Sequence, residues 1–162
     1  MSRFEFSAVV RRTGRVAGGQ QRTLDLASGR ERVPAIWLTP AGDAPAPAVL
    51  LLHGFSSSKE RMSQAIGRAL LARGVGSLAL DLPFHGERAG ADRELPRNPL
   101  ALVAAWKTAV AETRAAAAAV EPKTMVWYDG GHWPGPLVID ETAGWVADRL
   151  REVGKTGVRR MA

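Results

Sequence analysis

The sequence predicts an α/β fold, a minimal three-layer sandwich in which a mostly parallel sheet of about five strands carries helices on both faces. Three observations point to it. Ala48 to Leu52 and Val75 to Leu80 are short, continuously apolar runs, as expected of strands buried on both faces of a parallel sheet. A third such run, Thr124 to Tyr128, comes later. Segments with helical periodicity lie between and after these runs, and that alternation sets helices on both faces.

The elements follow in order. Phe4 to Arg12 alternates and is rich in β-formers, so it reads as the first strand. Arg22 to Leu26 and Glu31 to Thr39 read as a hairpin turning at Ser28-Gly29. Ala41 to Pro47 is a Pro-rich loop, too short to link domains. After the Ala48 to Leu52 strand and a loop over Phe55 to Ser58, a helix is predicted from Lys59 to Arg73. It carries Met62, Ile66, Ala69 and Leu70 on one face and stops at Gly74. Beyond the Val75 to Leu80 strand, Asp81 to Arg97 is a long polar loop. Asn98-Pro99 starts the next helix, which reaches Val120 through an alanine stretch of high propensity and little packing volume. Thr124 to Tyr128 is the last strand and Asp129 to Pro136 a Gly/Pro-rich loop. Val138 to Val153 is an amphipathic helix with Thr142, Trp145, Val146 and Leu150 inward and Gly154 as its stop.

With 162 residues the chain has the length of one domain. Residues 1–154 are read as that domain and 155–162 as a basic tail. No apolar run is long enough to span a membrane, and Met1 to Phe6 lacks the apolar core of a leader peptide. Cysteine is absent. That excludes disulfides, thiol catalysis and thiolate metal sites, and it fits a reducing cytoplasm, where the protein is expected. The net charge of +6 comes from arginines scattered along the chain, the pattern of a solvated surface. No nucleic-acid or membrane partner is expected.

The motifs sit where such a sheet does its chemistry. His53-Gly54-Phe55, followed by Ser58-Lys59, comes directly after one apolar strand. Asp81-Leu82-Pro83-Phe84-His85-Gly86-Glu87-Arg88 comes directly after the next, and Asp129-Gly130-Gly131-His132 after the third. These segments resemble the α/β-hydrolase superfamily, in particular the dienelactone-hydrolase and prolyl-oligopeptidase-like esterases. The first two match the N-terminal half of that fold, and residues 121 to 153 match its last strand, histidine loop and final helix. The G-x-S-x-G elbow that exposes the serine nucleophile is absent from this sequence. The stretch in which the family places it, with two further strands and the acid-bearing loop, is missing near Val120-Glu121. An internally shortened member of the superfamily accounts for both matching halves. A right-handed crossover would then seat Thr124 to Tyr128 beside Ala48 to Leu52 and bring His132 to the nucleophile's position, at the edge where ligands bind.

What the resemblance implies, the residues allow in part. The Phe55 backbone N–H corresponds to an oxyanion-hole donor. His132 suits a general base or is the family's histidine stranded without its serine. Ser57 with Glu60 fits a capping box and Ser58 sits at the helix start, so Ser56 is the freest hydroxyl for a nucleophile. Asp129 either orients His132 or bonds its own turn. Arg88 either pairs with a substrate carboxylate or joins Asp81 in ordering its loop, and Trp133 could line an acyl pocket. His53, His85 and His132 follow strands, but no ligand spacing supports a metal, and no metal or cofactor is expected. The expectation is a small carboxylesterase-like, serine-type hydrolase of simple esters, acting on a small-molecule ester. The alternative is a non-catalytic or engineered remnant serving as a scaffold or oligomerising domain. A homodimer is expected, through an exposed sheet edge or swapped C-terminal helices.

Overall fold

Three strands of ten residues each open the chain: β1 (Ser7–Val16), β2 (Gly19–Ser28) and β3 (Glu31–Pro40). The structure, a computed structural model, describes residues 7–28, 31–90, 95–118 and 136–156. The first hairpin turns at Ala17-Gly18, where Gly18 takes φ +83°, a left-handed conformation that glycine adopts without a Cβ penalty. It was not foreseen: the first strand was expected from Phe4 and stops later than read. The second hairpin pairs Ser28 with Glu31, so Ser28 belongs to the strand and not to the expected Ser28-Gly29 turn; Gly29 lies outside the described residues.

β4 (Ala48–Leu52) and β5 (Gly76–Leu80) follow, joined by a helical crossover. The sheet order is β1-β2-β3-β5-β4. Among the described strands only β4 and β5 run parallel; every other neighbouring pair is antiparallel. The expected mostly parallel sheet is therefore corrected to a mostly antiparallel mixed sheet. The reason lies in the connections. Short turns can only join antiparallel strands, and among the described strands only one connection is long enough to return the chain in parallel. The proposed strand Thr124 to Tyr128 lies outside the described residues, and so does its place beside β4.

The crossover begins as α1 (Lys59–Met62), passes through a π-type turn over Ser63–Gly67 and continues as α2 (Arg68–Leu71). Beyond β5, the helices α3 (Pro99–Ala118) and α4 (Pro136–Thr156) complete the described elements. Helices cover both faces, as expected. Leu24, Leu26, Val33, Leu78 and Leu80 pack with Ala116 of α3 on one face. Leu51, Leu70, Val75 and Ala79 pack with Ala143 and Ala147 of α4 on the other. Met62, Ile66 and Ala69 join the second cluster as predicted. In α4 the seam differs: Ala143 and Ala147 are buried while Trp145 is 50% exposed. Small residues let α4 lie close against the crossover helix, and a Cβ on Gly144 would stand 3.6 Å from Arg73 Nε. On α3 the alanine stretch, not the larger residues, is buried: Ala115 and Ala116 are inside, whereas Leu100 and Trp106 are 78% and 71% exposed.

Gly67 marks the closest approach of the crossover to the sheet. A Cβ there would stand 2.9 Å from Ser77 Oγ and 3.0 Å from Leu38 Cδ1, and Ser77 Oγ is buried without a hydrogen-bond partner. Gly67→Ala should lower stability by about 1–3 kcal/mol through overpacking. Ser77→Ala should leave stability unchanged or raise it, since it removes an unsatisfied buried hydroxyl. Urea unfolding of the two single variants and the double should show the Ser77 change recovering part of the Gly67 loss. Strict additivity would refute the contact.

Candidate active site

The C-terminal ends of β4 and β5 are adjacent because Leu52 pairs with Leu80. The first residues past that pair are His53 and Asp81, and each leads into a tight turn. Ser57 N–H donates to Gly54 O at 3.3 Å, and His85 N–H to Leu82 O at 3.1 Å. Each turn carries a non-glycine residue in the left-handed region, Ser56 at φ +59° and Phe84 at φ +64°. Such positions cost about 1–3 kcal/mol and persist only where the surroundings hold them.

His53 is buried and joins the two turns. Its Nε2 accepts from Leu82 N–H at 3.1 Å, and its Nδ1 stands 2.9 Å from Gly54 O. An accepting Nε2 puts the proton on Nδ1, which donates to Gly54 O. Burial holds the imidazole below its ordinary pKa, and the neighbouring His85 adds to this against the pull of the Gly54 carbonyl. With both nitrogens occupied, His53 braces the turns and cannot serve as a base. Its ring centroid lies 4.9 Å from that of His85, which Phe55 meets edge-on at 5.9 Å. His85 Nδ1 is 2.8 Å from Pro83 O.

Beneath the turns, Asp81 and Lys59 have fully buried side chains. Lys59 Nζ lies 2.7 Å from Asp81 Oδ2, 2.6 Å from Glu60 Oε1 and 2.8 Å from Glu87 Oε1. Burial alone would lower the lysine pKa, but the hydrogen bonds from Asp81, Glu60 and Glu87 outweigh it and raise it. Asp81 also accepts Lys59 N–H on Oδ1 and Glu87 N–H on Oδ2, each at 3.0 Å. One carboxylate thus caps the first amide of α1 and an amide of the single 3₁₀ turn Gly86–Arg88. This is the charge and acceptor that a helix N-terminus favours. The expected Ser57–Glu60 capping box does not form. Ser58 holds the cap position without a side-chain bond to the helix amides, its hydroxyl meeting Glu60 instead, and Ser57 Oγ is buried without a partner. Asp81 has taken over the task and Glu60 is drawn to Lys59.

The carboxylates of Glu60, Asp81 and Glu87 come within 4.8 Å of one another, a spacing that could hold a metal ion. The Lys59 ammonium stands among them and supplies the cation. Glu87 also receives both terminal nitrogens of Arg11 at 2.9 Å. Arg11 reaches it because β1 bulges between Val10 and Arg12, and a bulge re-aims a side chain in this way. Arg11, opposed by burial and aided by Lys59, holds the Glu87 carboxyl down at about 2. Gly86, at φ +53°, is required here: a Cβ would stand 2.2 Å from the Asp81 carboxylate.

Of the residues predicted for chemistry, Phe55 and Ser56 lie together on the exposed turn after β4, with Phe55 65% exposed. Among the described residues nothing accepts from the Phe55 N–H. Arg88 is elsewhere engaged. It donates to both oxygens of the buried Glu112 on α3, at 2.8 and 3.0 Å, and to Asp81 O at 3.2 Å. The donors that a substrate carboxylate would need are thus already held, and Arg88 orders its loop, the other role the sequence offered. His132, Asp129 and Trp133 lie outside the described residues. Sequence reasoning missed the role of Lys59. Its signal was a lysine at the start of an amphipathic helix, directly after a motif loop.

No protein-family model matches this chain, and no curated protein matches it. Solved structures do. A cold-adapted esterase from an Arctic intertidal metagenomic library, solved as a polyethylene-glycol-bound complex, matches with 30% identity and a TM-score of 0.51 over 66% of this chain and 46% of that one. A Bacteroides fragilis protein described as an acetyl xylan esterase matches with 17% identity and a TM-score of 0.49 over 55% of this chain and 28% of that one. Over the matched region the chain has an esterase-like hydrolase fold. It spans less than half the length of either protein. Among the described residues, no helix is long and apolar enough to cross a membrane.

Lys59→Met should cost about 3–5 kcal/mol, because it leaves buried carboxylates uncompensated. Lys59→Met with Asp81→Asn should recover part of that loss in urea unfolding; no recovery would deny the pairing. Acid should act through Glu87. Its folded pKa lies below the ordinary 4.5, so its stabilisation is complete above about pH 4.5 and fades as pH falls towards about 2. Unfolding midpoints measured across that window should fall more steeply for wild type than for Glu87→Gln. Equal slopes would show that the carboxylate is not held.

Proposed function

We propose that this chain is a small carboxylesterase-like hydrolase of simple esters, an internally shortened relative of the α/β-hydrolase esterases. The observation that carries the reading is the Gly54–Ser57 turn. It puts a free hydroxyl, Ser56, and an unclaimed amide donor, Phe55, side by side at the exposed C-terminal edge of the parallel pair. Open α/β sheets bind their ligands at that edge. In this reading Ser56 attacks the ester carbonyl, His132 takes its proton, and Asp129 orients the imidazole. The Phe55 amide stabilises the oxyanion, a donor worth about 10²–10³ in rate. Trp133 lines the acyl side, and Arg88 acts by tethering the Asp81 loop to α3. The fold similarity to an esterase at 30% identity supports the class of reaction.

A non-catalytic scaffold is the alternative, and one observation favours it: Leu100, Val103, Trp106 and Val110 are all exposed along α3. Among the described residues, β4 also pairs on one side only. In that reading a second copy of the chain pairs along the β4 edge, as unprotected strand edges favour.

Hydrolysis of p-nitrophenyl acetate, with fluorophosphonate labelling and mass spectrometry, separates the two readings. The hydrolase reading expects the label on Ser56. It also expects the rate to fall by about 10²–10⁴ in His132→Ala, the usual worth of a general base. Full activity in His132→Ala would overturn the mechanism, and a protein that neither labels nor hydrolyses would favour the scaffold.

A further inference from the structure

A second concavity opens at the opposite end of the sheet, where β4 and β5 begin. It is a cleft of about 870 Å³, and Ala48 and Gly76, the first residues of the two strands, lie in its wall. Strand register shows which side chains face it. Thr13 pairs with Arg22, Arg22 with Trp37 and Trp37 with Leu78, so these four share one face, the face that Leu78 packs against α3. Arg15 lies two residues beyond Thr13 and points the same way. Arg15 pairs with Gln20, which makes Arg15 and Arg22 diagonal neighbours, about 7–8 Å apart at the backbone and within mutual reach of long side chains.

Both arginines line the cleft and are exposed. Neither has a hydrogen-bond or ion-pair partner among the described residues. Other arginines of this domain are spent: Arg11 and Arg32 on Asp25 and Glu87, Arg73 on Asp140 and Arg88 on Glu112. Two unpaired guanidinium groups on one face repel each other until an anion lies between them. The cleft has one acid, Asp43, and it bonds neither. Its remaining wall is mixed, with Gln20 and Thr39 beside the Trp37 ring and Pro40. Trp37 Nε1 is buried without an acceptor among the described residues. The rim is held: Ala41 N–H donates to Gly18 O at 3.0 Å, joining the first hairpin turn to the loop before β4.

We propose that this cleft binds an aromatic carboxylate. Arg15 and Arg22 clasp its carboxylate, the planar bidentate geometry that guanidinium groups match best. The Trp37 side chain, on the same face as both arginines, takes the ring. The site stands apart from the proposed hydrolytic edge and does not depend on it.

Naphthoate is the probe, and the indole N–H signals of a proton–nitrogen correlation spectrum are the readout, with Trp37 assigned from Trp37→Phe. Titration should move the Trp37 signal saturably. Arg15→Gln and Arg22→Gln should each weaken binding about tenfold or more, as loss of a charge-assisted hydrogen bond does. Both side chains are exposed and unpaired, so these variants should keep the wild-type spectrum. The neutral naphthamide should not saturate over the same range. Equal binding of the amide, a shift that survives both arginine changes, or a shift confined to Trp106 on α3 would overturn the proposal.

Discussion

The ion cluster around Lys59 is the constraint on which the rest of the candidate active site depends. An ammonium with no exposure to water is tolerable only where its charge is matched and its protons are bonded. Asp81 supplies the match from the end of β5, and Glu60 and Glu87 complete it. Because Asp81 also caps α1 and the Gly86–Arg88 turn, one carboxylate sets both segments that follow the parallel strands. Its backbone N–H donates in turn to Pro34 O on β3. The turns bearing Ser56 and Phe84 stand on this base, and His53 locks them to each other from above.

The arrangement explains how strain can persist at the edge. Ser56 and Phe84 occupy conformations that cost free energy, and each sits in a turn closed by its own hydrogen bond. Removing water from the cluster strengthens its internal bonds and raises the penalty for breaking any of them. The outer shell works the same way at lower strength. Arg11 and Arg32 bind Glu87 from β1 and β3, where solvent screens part of the interaction. Charge thus decreases in importance from the buried lysine outward, while geometry is held throughout.

Much of the fold was legible. The apolar runs located β4 and β5, and helical periodicity located the crossover and both later helices, with ends displaced by a few residues. Two motif loops were legible, those that directly follow β4 and β5. Besides the direction of the sheet, three readings failed for physical reasons. The hairpin at Ala17-Gly18 is marked only by its Gly18-Gly19 pair, and β1 is exposed along nearly its whole length, so no burial pattern marked it. Trp145 was read as inward because apolar character was taken for burial, whereas alanines made the closer packing. Ser57 and Glu60 had the spacing of a capping box, but a stronger acceptor arrived from another strand.

By itself the sequence determined the local matters: most of the strands and helices, the start of α3 at Pro99, and which loops follow the parallel pair. These depend on period, propensity and backbone conformation, all short-range along the chain. Only the tertiary structure decided the hand of each strand pairing, the partner of each charge and the group that caps α1. Lys59 and Asp81 are far apart in sequence, as are Arg11 and Glu87, and Arg88 and Glu112. A chain of letters records their charges but not which will meet. That choice is made by the sheet order and a single bulge, which bring distant residues within bonding distance.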